Sequence, residues 1–150
     1  MNKTTLRAGT KLYHGTDCDD FDESVESLSG PAWLSSSEMV AKHFATRSGG
    51  WGGVKRVIEY RLAEDVEVFN ILGKSDMSEL AEAHGIDLCG VEAMRESVEA
   101  SGIPGWVIPY NYPNGDDILL AHPDCLLEYV RTMHIEVSLT TKPKGASFGM

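Results

Sequence analysis

Apolar and polar positions change rhythm several times along the chain, and each change marks a predicted element. Lys11-Leu12-Tyr13-His14-Gly15-Thr16 reads as a short strand ending in a turn, and Pro31-Ala32-Trp33-Leu34-Ser35 as a second strand that leads into a helix. That helix runs to Arg47, with Val40, Ala41 and Phe44 on one stripe. Ser35 and Glu38 have capping-box spacing, while Ser36 and Ser37 are alternative caps. Period two returns from Val54 to Leu62, with Val54, Arg56, Ile58 and Tyr60 on one face and Lys55, Val57, Glu59 and Arg61 on the other. Neither face is wholly apolar, so this strand is expected to border a cleft. Val66 to Ile71 supplies another strand. Three-to-four spacing then places Met77, Leu80, Ala81 and His84 on one helix ended by Gly85, and Val91, Met94 and Val98 on a second that closes at Ser101 to Gly105. Trp106-Val107-Ile108 is extended until Pro109 interrupts it, and Leu126 to Val130 and Met133 to Leu139 read as two more short strands.

Between these lies a strand of a different kind. Asp116-Asp117-Ile118-Leu119-Leu120-Ala121 opens two adjacent carboxylates directly onto an apolar run, after the turn signal Asn114-Gly115. On a strand the two acids point to opposite faces, so one of them at most faces any given cleft. The alternative is a polar hairpin tip with no task. Asp17 to Gly30 is acidic and lacks periodicity, which suits a solvated loop. Ser48 to Gly53 is glycine-rich, but strand-like residues follow it and it has no phosphate-loop lysine, so it is not a dinucleotide or phosphate fingerprint. Residues 1–140 are expected to form a single domain of mixed α and β character, and residues 141–150 a frayed tail.

Composition narrows the function classes. A chain of 150 residues with 42% hydrophobic content can bury one core, and a net charge of −10 with pI near 4.8 argues against gripping nucleic-acid backbone. The acidic surface suits a protein partner with a basic surface, or solubility alone. No run approaches the roughly eighteen apolar residues of a membrane span, and the start lacks a signal peptide's apolar segment, so a cytoplasmic location is expected. Cys18, Cys89 and Cys125 are widely spaced and read as reduced thiols. Pairing His14 with Cys18, His84 with Cys89 and His122 with Cys125 builds no zinc pattern, and no cysteine has a nucleophile's local motif.

The order of Tyr13-His14-Gly15-Thr16, then Pro31 to Ser35 with Ala41 and Phe44, then Asp116 to Leu120 resembles the ADP-ribosyltransferase superfamily. The resemblance implies an α+β fold with a split, mixed and mostly antiparallel β-sheet core and peripheral helices. It implies that His14, within the His14-Gly15-Thr16 element, contacts a ribose hydroxyl of NAD, and that Gly15 offers backbone hydrogen bonds to the nicotinamide amide. Trp33 and Phe44 would hold the nicotinamide ring, with Ser35 supporting the pocket, although from pattern alone both aromatics fit a core equally well. Asp117 takes the place of the usual catalytic glutamate, one methylene shorter. Arg47, Lys55 or Arg56 would neutralise the pyrophosphate or be ordinary solvated charges. The implied activity is NAD-dependent mono-ADP-ribosylation of a macromolecule, a protein before a nucleic acid, with NAD as donor and nicotinamide released. Such an activity suits interference between host and pathogen. The arginine-modifying branch carries a second acid two positions before the catalytic one, where this chain has Gly115, so arginine is the less expected acceptor. The same scaffold also supports NAD hydrolysis, RNA 2'-phosphotransfer, which the acidic balance disfavours, or a noncatalytic acidic inhibitor of a protein partner.

Overall fold

A computed structural model of the chain describes residues 2–16, 30–47, 56–112 and 115–135. In chain order the elements are β1 (Lys3–Leu6), β2 (Lys11–Thr16), β3 (Ala32–Ser35), α1 (Glu38–Arg47), β4 (Arg56–Leu62), β5 (Val66–Asn70), α2 (Lys74–His84), α3 (Val91–Ser101), β6 (Gly105–Tyr112), β7 (Gly115–Leu120), α4 (Pro123–Leu126) and β8 (Leu127–His134). The strands form one sheet in the order β1-β5-β6-β7-β3-β2-β4-β8, with β5 and β6 parallel and the other neighbours antiparallel. The residue pattern implied mixed α and β character, and the resemblance implied this α+β arrangement of a mixed, mostly antiparallel sheet with peripheral helices.

Chain length forces that sheet to curl. Strands β4 and β5 lie five positions apart in the sheet, a separation of about 24 Å if it were flat. Yet Leu62 and Val66 are joined by Ala63, Glu64 and Asp65 alone, which reach about 15 Å fully extended. The β1–β2 turn imposes the same constraint, and it is stitched to β4 by Gly9 N–H donating to Leu62 O at 2.7 Å and Leu62 N–H donating to Thr10 O at 2.9 Å. Inside the curl, Leu12, Leu34, Ile58, Val68, Val107 and Ile118 meet in one buried cluster, one residue from each of six strands. The outer face of β5, β6 and β7 is covered by α2 and α3, whose Leu80 and Val98 pack with Phe69, Trp106 and Leu119. Two cores, one on each side of a single sheet, follow from strands whose alternate positions are both apolar.

Several expectations are corrected. Strand β4 is an interior strand: it lies between β2 and β8, and every residue but Arg61 is buried, including Arg56 and Glu59. Strand β6 continues through Pro109 to Tyr112, because its register against β7 shifts between Ile108 and Tyr112 and the proline falls within that irregularity. The two short strands expected after Leu126 are one strand, β8, preceded by the short helix α4, and residues 136–139 lie outside the described part. Strand β1 went unanticipated, since Lys3-Thr4-Thr5-Leu6 carries little apolar signal and is a strand through its antiparallel pairing with β5. The loop expected at 17–29, the glycine-rich segment 48–53 and the tail 141–150 also lie outside the described residues.

Gly105 opens β6 at φ +142 with its backbone opposite Leu120, and a Cβ there would run into the Leu119 carbonyl oxygen. Both the backbone angle and the close approach require glycine. Gly105→Ala is expected to lower the unfolding free energy by roughly 2–4 kcal/mol, the range for a strained and crowded glycine site. A urea titration followed by tryptophan fluorescence checks this, and an unchanged midpoint would refute it.

Candidate functional site

Residues directly opposite each other in antiparallel strands share a face, with Cβ atoms about 5 Å apart. The register of five neighbouring pairs therefore draws one line of side chains across the sheet. Arg131 on β8 faces Glu59 on β4, Glu59 faces Tyr13 on β2, Tyr13 faces Ser35 on β3, Ser35 faces Asp117 on β7, and Asp117 faces Ile108 on β6. Two residues of the expected site, Ser35 and Asp117, are thus direct neighbours. Asp116 leaves β7 on the other face, as strand alternation requires.

His14 belongs to the neighbouring register position, opposite Ile58, and so starts from the other face of β2. Among the described residues β2 and β3 pair at the single position Tyr13 to Ser35. Next to that point the His14 ring spans the seam, with Nδ1 at 2.9 Å from the Trp33 carbonyl oxygen. A carbonyl accepts, so Nδ1 carries the hydrogen and Nε2 carries the lone pair. Burial pushes the His14 pKa below its ordinary 6.5; the hydrogen bond to Trp33 opposes this, and the positive charge of Arg95 adds to it. The ring is neutral at pH 7 and presents Nε2 as a hydrogen-bond acceptor.

Three consecutive serines build the corner beside Asp117. Ser35, buried at the end of β3, accepts from Ser37 N–H through Oγ at 3.0 Å. Ser36 Oγ accepts from Asp116 N–H at 2.8 Å while Ser36 N–H donates to Asp116 O at 3.2 Å. Ser37 Oγ accepts from Val40 N–H at 3.3 Å, which makes Ser37 the N-cap of α1. Gly115 lies under this corner: an added Cβ would stand 2.7 Å from Ser37 Cβ and 3.3 Å from Ser35 Oγ. The position two residues before Asp117 is therefore closed to any side chain unless the corner moves.

The other expected site residues are placed differently. Trp33 is half-buried, faces Leu119 and meets Trp106 edge-on, with centroids 5.7 Å apart and planes at 71°. It packs against the outer core. Phe44 lies on α1, but its side chain, like that of Thr16, lies outside the described residues, and so does the aromatic slot expected between Trp33 and Phe44. Gly15 sits in the β2–β4 ladder opposite Val57. Arg56 is buried rather than solvated, while Lys55 and the Arg47 side chain are outside the described part.

Sequence reasoning missed Tyr13 and Glu59. Glu59 is 3% exposed, and Arg131 Nε reaches its Oε1 at 2.9 Å. Tyr13, half-buried, has its pKa raised by burial and then by the negative charges of Glu59 and Glu38, with Arg131 opposing, so the phenol keeps its proton. A glutamate directly between Ile58 and Tyr60 in a strand was the available signal for Glu59. A cavity of about 430 Å³ adjoins the far end of the row, lined by Ile108, Pro109, Ile71, Leu72, Lys74 and Met77 among others. Another of about 320 Å³ lies between α3 and Gly30-Pro31, away from Asp117 and lined by Arg95 and three glutamates. Among the described residues no three His, Cys, Asp or Glu side chains are grouped to hold a metal ion.

No family model matches the sequence, and no curated protein sequence matches it either. Among solved structures, the chain is similar to one from the crystal structure of the M. tuberculosis MbcT–MbcA toxin–antitoxin complex, with 12% identity and a TM-score of 0.51. The match covers 87% of this chain and 86% of that one. The likeness is one of fold, and it extends over nearly the whole α+β architecture.

Because the folded-state imidazole of His14 titrates below 6.5, folding favours the neutral ring. Its contribution to stability is therefore present above pH 6.5 and is lost as pH falls through the lowered folded value. Urea midpoints measured from about pH 7.5 down to pH 5 should fall more steeply for the wild type than for His14→Asn. Parallel curves would exclude His14 as the titrating group.

Proposed function

We propose that this chain breaks the nicotinamide–ribose bond of NAD and transfers ADP-ribose to a macromolecule, a protein in the cytoplasm, as an agent of interference between organisms. One observation carries the reading: Ser35 and Asp117 stand side by side on β3 and β7, and β3 borders the seam where a neutral His14 reaches the Trp33 carbonyl. It is supported by the resemblance of the His14-Gly15-Thr16, Trp33 to Ser35 and Asp117 elements to ADP-ribosyltransferases. The fold likeness to a chain of a toxin–antitoxin complex supports a protein partner.

In this reading the C1'–N bond of the nicotinamide ribose breaks with its electron pair leaving on nicotinamide. Positive character grows on the ribose, and the Asp117 carboxylate stabilises it by accepting a ribose hydroxyl hydrogen bond. His14 Nε2 accepts from a second ribose hydroxyl and fixes the sugar; a charged imidazolium could not accept, so the lowered pKa serves this role. Ser35, buried between Tyr13 and Asp117, holds the corner from which Asp117 projects. The acceptor's lone pair then closes on C1' from the opposite face and its proton passes to solvent.

Gly115 favours a second reading of the last step. With the Ser35–Ser37 corner packed against Gly115, no acid occupies the position that activates an arginine acceptor in the family's arginine-modifying branch. The nucleophile is then a group already reactive at neutral pH, or water, and water makes the protein an NAD glycohydrolase.

With labelled NAD and a native cell lysate, wild-type protein is expected to attach label to a discrete macromolecule and release nicotinamide. Asp117→Ala should lose roughly 10²-fold or more in rate, the scale of removing one electrostatic contact to the transition state, with its fold retained by circular dichroism. Nicotinamide release without attached label assigns hydrolysis. Neither product from either protein would overturn the reading on NAD.

A further inference from the structure

The row that contains Asp117 ends at Ile108, and Ile108 is also a wall of the 430 Å³ cavity between β6 and the start of α2. Ile108, about 5 Å from Asp117 by strand spacing and on the same face of the sheet, is thus the wall that the cavity shares with the row containing the proposed catalytic carboxylate. Its lining is mixed: Ile71, Leu72, Met77, Ile108 and Pro109 supply apolar surface, beside a comparable share of polar surface in which Lys74 is the one charged residue. Leu72 is 65% exposed there, an apolar side chain held at the rim by the turn into α2. Among the described residues Lys74 has no carboxylate within ion-pair distance, although the chain carries a net charge of −10. The N-cap of α2, Gly73, makes no side-chain cap hydrogen bond, so the helix N-terminus and the Lys74 ammonium at this cavity both favour an anion.

We infer that this cavity is the docking site for the acceptor protein, and that it takes an extended segment with an apolar side chain beside a carboxylate. The apolar side chain fills the space between Met77, Ile108 and Pro109 and covers Leu72; the carboxylate pairs with Lys74. A segment seated there passes within one strand of Asp117, which places its next few residues at the reacting carbon. The acidic surface elsewhere draws a basic protein, and Lys74 is a local exception that fixes which part of that protein enters. The assignment of the segment as acceptor rests on the NAD reading; the chemistry of the groove does not.

The test uses a fluorophore-labelled synthetic peptide in which leucine and phenylalanine alternate with glutamate, and a control with lysine in place of glutamate. Anisotropy titrations are run with wild type, Leu72→Asp and Lys74→Glu. The acidic peptide should bind wild type, and each substitution should weaken it roughly tenfold or more, the scale of losing one central contact. Lys74→Glu should reverse the preference towards the lysine peptide. The acidic peptide should also suppress labelling of macromolecules in the lysate, together with the nicotinamide release coupled to transfer, while both variants should bind NAD with the wild-type Kd. Equal binding of both peptides, or no loss in either variant, would refute the groove. If the variants lose NAD binding while still folded, the cavity holds the donor and the inference fails. Absence of nicotinamide release from wild type would count against the NAD reading, and the anisotropy result would still decide the groove on its own.

Discussion

A four-residue strand, β3, joins the two halves of the sheet, and the candidate site depends on how incompletely it does so. Its pairing with β7 runs over four positions, from Ala32 opposite Leu120 to Ser35 opposite Asp117. Its pairing with β2 is described at one, Tyr13 with Ser35. Backbone carbonyls near a core need donors, and at this seam an imidazole N–H supplies one to Trp33. That hydrogen bond brings a titratable ring to the seam between β2 and β3, beside the strand whose Ser35 is paired with Asp117. A complete β2–β3 ladder would satisfy the same carbonyl but leave no seam.

The curl of the sheet supplies the rigidity that this gap takes away. Short connections from β1 to β2 and from β4 to β5 draw distant strands together, and the cluster inside draws one side chain from each of six strands. On the other side, α2 and α3 press Trp106 and Leu119 against Trp33. Strand β3 is thus clamped from both faces, while among the described residues its pairing with β2 is at one position. The same packing explains the polar row. Glu59 is buried because β4 is flanked on both sides, and Arg131 from the edge strand reaches in to answer its charge.

Gly115 links architecture to chemistry. The serine corner needs its space, and it closes the position two residues before Asp117 to a side chain. On the NAD reading proposed above, the choice of nucleophile would be set by how this turn packs. The cavity beyond Ile108 extends that logic, because the residue that faces Asp117 also walls the space in which an acceptor would lie.

Much of the secondary structure was legible in the sequence, because period two and period three-to-four are imposed by each element's own geometry. Strands β2, β3, β5 and β7, helices α1, α2 and α3, and the glycine stops at Gly85 and Gly102 were all readable that way. The opposite orientations of Asp116 and Asp117 followed from alternation alone. Strand β1 was not legible, because four largely polar residues become a strand through a partner some sixty positions away. Nor was the passage of β6 through Pro109, which a register shift against β7 accommodates. The ordered motifs drew attention to His14, Ser35 and Asp117, yet no spacing could say that Ser35 and Asp117 are opposed, that Tyr13 and Glu59 complete their row, or that His14 turns across the seam. Those facts are matters of strand order and register between segments far apart in the chain. The sequence by itself determined the local elements and the residue types available for chemistry; tertiary pairing decided which of them meet, because neighbours across a sheet are set by long-range hydrogen bonding and by the short connections that make this sheet curl.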